Sequence, residues 1–454
     1  MKSETSPDRN VLFICYSFPP VGGAGVQRSV KFVKYLPNEG WRPIVLTVQN
    51  PSVPVLDNTL FKDIPTGTQV LRSKTWEPSY RSKASFSTSV KKNNSFLSRW
   101  LKSVVLQWIQ PDLQVLWNRS AYRTAVNALT QQKISAIYVS GPPFSSFLIG
   151  CKLKKRSGLP LVLDFRDEWS LSAKYLENQS RQYRTMSRQM RLFEETIKQA
   201  DAIVATTQAS ADELRRCCLR VHAKASVECI YNGYDPSDFV ELTEDKHDNQ
   251  MYRLVYTGTL WRLTDISPLV KAIELWSRRE PLLAKKLELI LIGRRTPEQD
   301  SIVDRLEQTP ITMRRIDYTP HDRSLQWAKN ADGLLLLLAQ ESGAERVVPA
   351  KLFEYLALQL PILGIVPNGE SKQLLDRCTK ATAIHPNDSA EIENWLSNAI
   401  ASKQPIRSKR IELHSGQLTA FATELQWCSR QFLTRQLAKT LDRIQCQSIP
   451  IGDM

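Results

Sequence analysis

The chain has 454 residues, 42% of them hydrophobic, which is enough to build two or three globular domains of about 100 to 200 residues each. It carries a formal net charge of +15 and eight scattered cysteines without CxxC spacing, which argues against a disulfide framework or a zinc site and leaves the thiols as reduced core residues. No run of roughly 18 apolar residues occurs and the opening MKSETSPDRN is polar, so neither a spanning helix nor a secretion signal is expected, and a cytosolic location is.

The apolar run VLFICYSF (11–18) has strand length. PPVGGAGV follows, then a helix whose Val26, Val30, Val33 and Leu36 share a face, then the strand RPIVLTV. This is a βαβ unit with a glycine turn at the carboxyl end of its first strand, where open parallel sheets bind ligands. Gly22, Gly23 and Gly25 allow backbone N–H groups to approach an anion there, or serve the turn alone. The dinucleotide fingerprint is incomplete, because Arg28 holds the third glycine position and the second strand ends in Gln49 and Asn50 instead of an acid; a dehydrogenase is not expected.

Between Pro78 and Leu163, thirteen Arg and Lys residues stand against a single acid, Asp112. Such a block attracts anionic surfaces. Within it, RSKASFSTSVKKNNSFLS (81–98) has the composition of a mobile segment. Trp100, Leu101, Val104, Val105, Trp108 and Ile109, beside Arg99 and Lys102, suit either a helix packed in the domain or one lying on an anionic membrane. No nucleic-acid module accompanies the charge, so nucleic acid is not an expected partner.

Further strands are expected at ISAIYVS (134–140), LPLVLDF (159–165), DAIVATT (201–207) and ASVECIY (225–231), alternating with helical stretches. A second series runs through YRLVYTG (252–258), LELILIG (287–293), ITMRRIDY (311–318), DGLLLLL (332–338) and LPILGIV (360–366). The turn-rich YNGYDPSDFVELTEDKHDNQ between them reads as a linker. Two doubly wound α/β domains follow, spanning 1–240 (with a basic, Trp-rich insertion at 76–125) and 241–415. The tail 416–454 is helical: Leu418, Phe421, Leu425, Cys428 and Phe432 mark one face, which Leu433, Leu437, Leu441 and Ile444 continue.

The stretch ERVVPAKLFEYLALQLPILG (345–364) reads as a loop, a helix and a buried strand. Pro349 suits a first helical turn, and Leu352, Phe353, Leu356 and Leu358 keep helical spacing. N–H groups near Val348 to Lys351, reinforced by the Lys351 ammonium, would then face an anion. Glu354, one turn further in, is placed to accept hydrogen bonds from hydroxyls beside that anion, or to sit solvated where it favours the helix dipole.

In this order and spacing, SFPPVGGAGVQR, DFRDEWS, YNGYDPSDF, YTGTLWR and PAKLFEYLALQLPIL resemble glycosyltransferase family 4, retaining sugar-nucleotide enzymes with the GT-B fold, over nearly the whole chain. The resemblance implies two Rossmann-like α/β domains facing a central cleft. The first would bind the acceptor and the second the nucleotide-sugar donor, and the last helices would cross back to the first domain. Glu354 matches the second of the family's two donor-site glutamates, which meets the ribose. Arg346 stands at the place of the first, with Glu345 out of register by one. The family's Arg and Lys after the YRLVYTG strand are replaced by Thr259 and Asp265, which leaves Arg262 as the candidate clamp on the leaving diphosphate and Lys351 as a second cation. Gly22, Gly23, Gly258, Val348 and Leu352 would line the donor, and Arg294 would lie near the base. Gln359 replaces the usual glycine before the last strand's proline.

On the acceptor side the resemblance points to Asp164, Arg166 and Asp167 of DFRDEWS, with Asp167 orienting or deprotonating the acceptor hydroxyl if Asp164 and Arg166 pair with each other. The loop SGPPFSSF lacks the histidine that many members carry, and His321 is read as a loop residue. There is no Asp-x-Asp, so neither a metal nor another cofactor is implied. The implied function is transfer of a hexose-type sugar to a glycan or lipid-linked acceptor at the cytosolic membrane face, in polysaccharide or lipopolysaccharide assembly. Two alternatives are a binding protein that kept the fold but lost catalysis, and a nucleotide-sugar epimerase.

Overall fold

In a computed structural model of the chain, the residues described are 9–80, 109–171, 183–240, 242, 250–403 and 425–447. They divide into two compact units, Met1–Tyr231 with Arg430–Met454, and Asn232–Ser429.

The first unit is built on a parallel seven-stranded sheet in the order β3-β2-β1-β4-β5-β6-β7. Its strands are β1 (Arg9–Cys15), β2 (Trp41–Val48), β3 (Gln69–Ser73), β4 (Ile134–Gly141), β5 (Leu161–Phe165), β6 (Ala202–Ala205) and β7 (Ser226–Cys229). Helices cover both faces, so the central strands are apolar on both sides and read as continuous hydrophobic runs. The period of two still sorts them. Leu161, Leu163 and Phe165 enter one core with Phe147 and Trp169, while Val162 enters the other with Val26, Val30 and Val33 of the helix Ala24–Tyr35. The helix Arg430–Gln447 buries Leu433, Leu437, Leu441 and Ile444 in that second core, so the end of the chain completes the first unit.

The second unit has a parallel six-stranded sheet, β10-β9-β8-β11-β12-β13. The strands are β8 (Tyr252–Thr257), β9 (Leu287–Ile292), β10 (Thr312–Ile316), β11 (Gly333–Leu337), β12 (Ile362–Ile365) and β13 (Ala381–Ile384). Leu254, Leu289, Leu291, Leu335 and Leu337 pack with Ile273 and Trp276 of the helix Ser267–Arg279. Strand order reverses between β1 and β4 in one sheet and between β8 and β11 in the other, and in such sheets ligands bind outside the carboxyl ends at the reversal.

Three expectations change. The unit boundaries fall at Tyr231–Asn232 and Ser429–Arg430 instead of 240 and 415. The reason is local: the Tyr234 N–H donates to the Cys428 carbonyl and Tyr234 bridges Ser429, so the chain enters and leaves the second unit side by side. YNGYDPSDF is therefore part of that unit and not a linker, with Asp235 accepting the Ser237 N–H over the short helical turn Pro236–Phe239. The helical face drawn from Leu418 to Phe432 is also broken. Leu425 and Cys428 are buried beside the turn Gln426–Cys428 and the helix begins at Arg430, while Leu418 and Phe421 lie outside the described residues. So do residues 81–98, Arg99, Trp100, Leu101, Lys102, Val104, Val105 and Trp108. Among the described residues no helix is long and apolar enough to cross a membrane.

Candidate functional site

In the second unit the chemistry gathers at the carboxyl ends of β8, β9 and β11. Gly258 and Gly293 follow β8 and β9 with φ of 123° and 126°, a region open in practice to glycine. Their turns are stitched together by the Gly258 N–H donating to the Ile292 carbonyl at 2.7 Å and the Leu260 N–H to the Arg294 carbonyl at 2.8 Å. A Cβ on Gly293 would stand 2.3 Å from the Gly258 carbonyl oxygen, and one on Gly258 would stand 2.8 Å from Lys351 Nζ. Gly293 is thus fixed by close approach of backbone as well as by its conformation, and Gly258 by its conformation, with the mobile end of Lys351 resting against it.

Lys351 opens the helix Lys351–Leu358, and its ammonium lies 3.6 Å from the centre of the Tyr256 ring. The Tyr256 hydroxyl donates to the Thr259 carbonyl, and the Tyr355 hydroxyl accepts the Thr257 N–H at 3.0 Å, so the aromatic wall around the lysine is pinned to the β8 turn. Burial pushes the Lys351 pKa down to about 7, with the Glu354 carboxylate pulling it back up.

The helix start is later than its sequence suggests. Pro349 precedes the cap residue Ala350, and the N–H groups of Leu352 and Phe353 are spent on the carbonyls of Pro349 and Ala350. Leu352 therefore offers no donor to a ligand, and Val348 and Leu352 are buried packing residues. The helix ends at Gln359 with φ 57°, the left-handed conformation that explains why glycine is usual there; a side chain at this position costs about 1–2 kcal/mol.

Glu354 has a protein partner that the sequence did not suggest. Its Oε1 is 2.8 Å from Nε2 of His321, the first residue of the helix His321–Lys329, and Nδ1 of His321 faces Asp238 Oδ2 at 4.0 Å. His321 is thus not a loop residue. Arg262, the expected clamp, donates from Nε to Glu341 Oε1 at 2.8 Å and is half exposed. Arg346 donates to Glu345 at 2.9 Å, and the other Glu345 oxygen accepts the Gly343 N–H. That loop is held from below: Ser371 donates to the Val347 carbonyl, and a Cβ on Gly369 would stand 2.4 Å from the Glu345 carbonyl oxygen. Arg294 is exposed at the end of β9. Asp265, where the family's lysine was expected, caps Ser267 and accepts from Gln299.

In the first unit Asp164 does not pair with Arg166. It is fully buried and accepts from Arg28 Nε and Nη2 at 2.9–3.1 Å, from the Tyr138 hydroxyl at 2.7 Å and from Ser140 at 3.1 Å. Alternation along β5 turns it to the face covered by the helix carrying Arg28, so it cannot reach an acceptor. Arg166 instead donates to the carbonyls of Gly25 and Pro142, tying the first turn of the helix after β1 to the loops that follow β4 and β5. The glycine turn is partly committed as well: the Gly22 N–H donates to the Val55 carbonyl, and Gly23, at φ 93°, is the cap of the following helix. Asp167 is the exposed acid of the motif.

Residues 23–238 match the model of Glycosyltransferase Family 4. Those residues are similar to that family. The chain has the two-domain GT-B fold, which three solved structures share. Anabaena HepE, in complex with UDP and glucose, is 15% identical with a TM-score of 0.58, covering 95% of this chain and 99% of that one. The α,α-trehalose 6-phosphate synthase of Burkholderia multivorans is 11% identical with a TM-score of 0.61, covering 97% and 100%. The N-terminal domain of Candida albicans trehalose-6-phosphate phosphatase is 13% identical with a TM-score of 0.60, covering 98% of each. No curated protein matches the chain. The family match takes in Gly23, Gly25 and DFRDEWS but stops before Gly258, Lys351 and Glu354, so the second unit's site stands on its own geometry. Of the residues at this candidate site, Tyr256 was not singled out in the sequence and His321 was read only as a loop residue. Tyr256 was visible only as one apolar position of a strand, and no local pattern connects His321 to Glu354.

Proposed function

We propose that this glycosyltransferase moves a sugar, with retention at the anomeric carbon, from a nucleotide diphosphate sugar to a glycan or lipid-linked acceptor, in the assembly of cell-surface polysaccharide or lipopolysaccharide. The observation that carries the reading is the convergence of Gly258, Lys351 and Glu354 at the reversal between β8 and β11. A diphosphate resting on the Gly258 turn meets the Lys351 ammonium, and a ribose one helical turn away meets the Glu354 carboxylate. As the bond from the anomeric carbon to the leaving phosphate oxygen breaks, charge grows on that oxygen. Lys351 stabilises it without a metal, assisted by Arg262 once it exchanges Glu341 for phosphate. Asp167 orients the acceptor hydroxyl, whose oxygen forms the new bond and whose proton passes to a carboxylate or to the departing phosphate. HepE, bound to UDP and glucose, supports a nucleotide-sugar donor for this fold. The block of basic residues between 78 and 163 supports an acceptor presented at an anionic membrane surface on the cytosolic side.

A panel of UDP- and GDP-sugars, followed by proton NMR for slow hydrolysis, tests this. The expected result is one hydrolysed donor whose released sugar keeps its anomeric configuration. Inverted sugar would contradict retention, a sugar altered at a ring carbon without acceptor would make the protein an epimerase, and no turnover of any bound donor would make it a binding protein.

A further inference from the structure

We infer that His321 is a positioning residue for the nucleotide ribose, acting through Glu354. The inference rests on the reading of Glu354 as the ribose ligand and goes beyond it, because the two recognition segments YNGYDPSDF and PAKLFEYLA are joined through this histidine. Glu354 as a carboxylate can only accept hydrogen bonds, so the 2.8 Å contact requires His321 Nε2 to carry the hydrogen. That fixes the ring's donor toward Glu354 and turns Nδ1 toward Asp238, 4.0 Å away, in the range of a charge contact and beyond a hydrogen bond.

The geometry explains why a residue outside the motif is needed. Glu354 stands one turn into a helix of only eight residues, with a flexible side chain about one-fifth exposed. Left alone, such a carboxylate samples several rotamers and would lose that freedom on binding ribose. His321 is anchored differently, at the first position of the next helix, and is itself only about one-fifth exposed. By holding Oε1 it orients the whole carboxylate group before the nucleotide arrives. Two hydroxyls on adjacent ribose carbons are the ligand chemistry such a fixed carboxylate recognises.

The test compares calorimetric binding of UDP and 2′,3′-dideoxy-UDP, with the GDP pair in parallel, to the full chain and to His321→Ala, His321→Gln and Glu354→Ala. In the wild type the hydroxyls are expected to improve affinity by roughly tenfold or more, the worth of hydrogen bonds to a charged group. His321→Ala should shrink that ratio to about threefold or less while leaving dideoxynucleotide affinity unchanged, and His321→Gln, which keeps a donor near the Nε2 position, should restore much of it. A ratio untouched in His321→Ala, or an equal loss for both nucleotides, overturns the inference, the second because it marks a merely structural role. A ratio untouched in Glu354→Ala, or a wild type that does not distinguish the two nucleotides, fails the underlying donor-site reading instead.

Discussion

Asp164→Ala is expected to destabilise the first unit by about 3–5 kcal/mol, because it strands a buried guanidinium. Arg28 is 1% exposed and Asp164 is 0% exposed, and their forked pair is the only charge compensation either receives from the other's helix or strand in the described contacts. Removal of the carboxylate also takes the acceptor from the Tyr138 and Ser140 hydroxyls, each buried with it. Double replacement of Arg28 by Met and Asp164 by Leu should recover much of the loss, since no lone charge is then left in the core. Urea unfolding followed by tryptophan fluorescence checks both variants, with the first unit's transition read separately because two units need not unfold together. A change below about 1 kcal/mol, the size of an exposed pair's contribution, combined with loss of sugar transfer, would return Asp164 to the acceptor role expected from the motif.

Lys351→Met is expected to weaken UDP binding by about 30- to 100-fold near pH 7, the range for losing one charge-assisted contact to phosphate. The pH dependence is the sharper part. In the free protein burial holds the Lys351 pKa at about 7, so the side chain is mostly neutral at pH 8. A diphosphate beside the ammonium favours the charged form and raises the pKa in the complex. Binding at pH 8 must therefore take up a proton, and wild-type affinity falls as pH rises above 7, by up to about tenfold per unit. Below pH 7 the lysine is already charged and this dependence flattens. The terminal phosphate of UDP titrates too, so the diagnostic quantity is the difference between wild type and Lys351→Met. Calorimetry in two buffers of different ionisation enthalpy measures it. Equal proton uptake by both proteins would show that Lys351 does not meet the diphosphate.

The two parallel sheets are legible in the sequence wherever a strand is buried on both faces. VLFICYSF, DGLLLLL and their kin are uninterrupted apolar runs because helices cover them on each side. The edge strands β3 and β13 were missed for the converse reason: Gln69–Ser73 is half exposed and mixed in polarity, and Ala381–Ile384 buries fully only its last residue. At the site, the local placements were legible: Gly258 at the end of β8, Lys351 at a helix start and Glu354 one turn later stand where the sequence put them, and of the three only Gly258 is required by its backbone conformation. What failed were pairings between distant residues. Nothing near Asp164 in sequence announces Arg28, 136 positions away, and the nearby Arg166 was the natural but mistaken partner. Arg262 likewise pairs with Glu341, 79 positions away, which its own motif does not announce.

A donor site in the second unit places the diphosphate on Lys351 and the ribose on Glu354. Calorimetric binding of UDP and GDP to the wild type and to Glu354→Ala measures this. The wild type should bind at least one of the two, and Glu354→Ala should bind it roughly tenfold to a hundredfold more weakly, as expected for losing a charged acceptor to two hydroxyls. Unchanged affinity in the variant, or no binding of either nucleotide by the folded wild type, would contradict it.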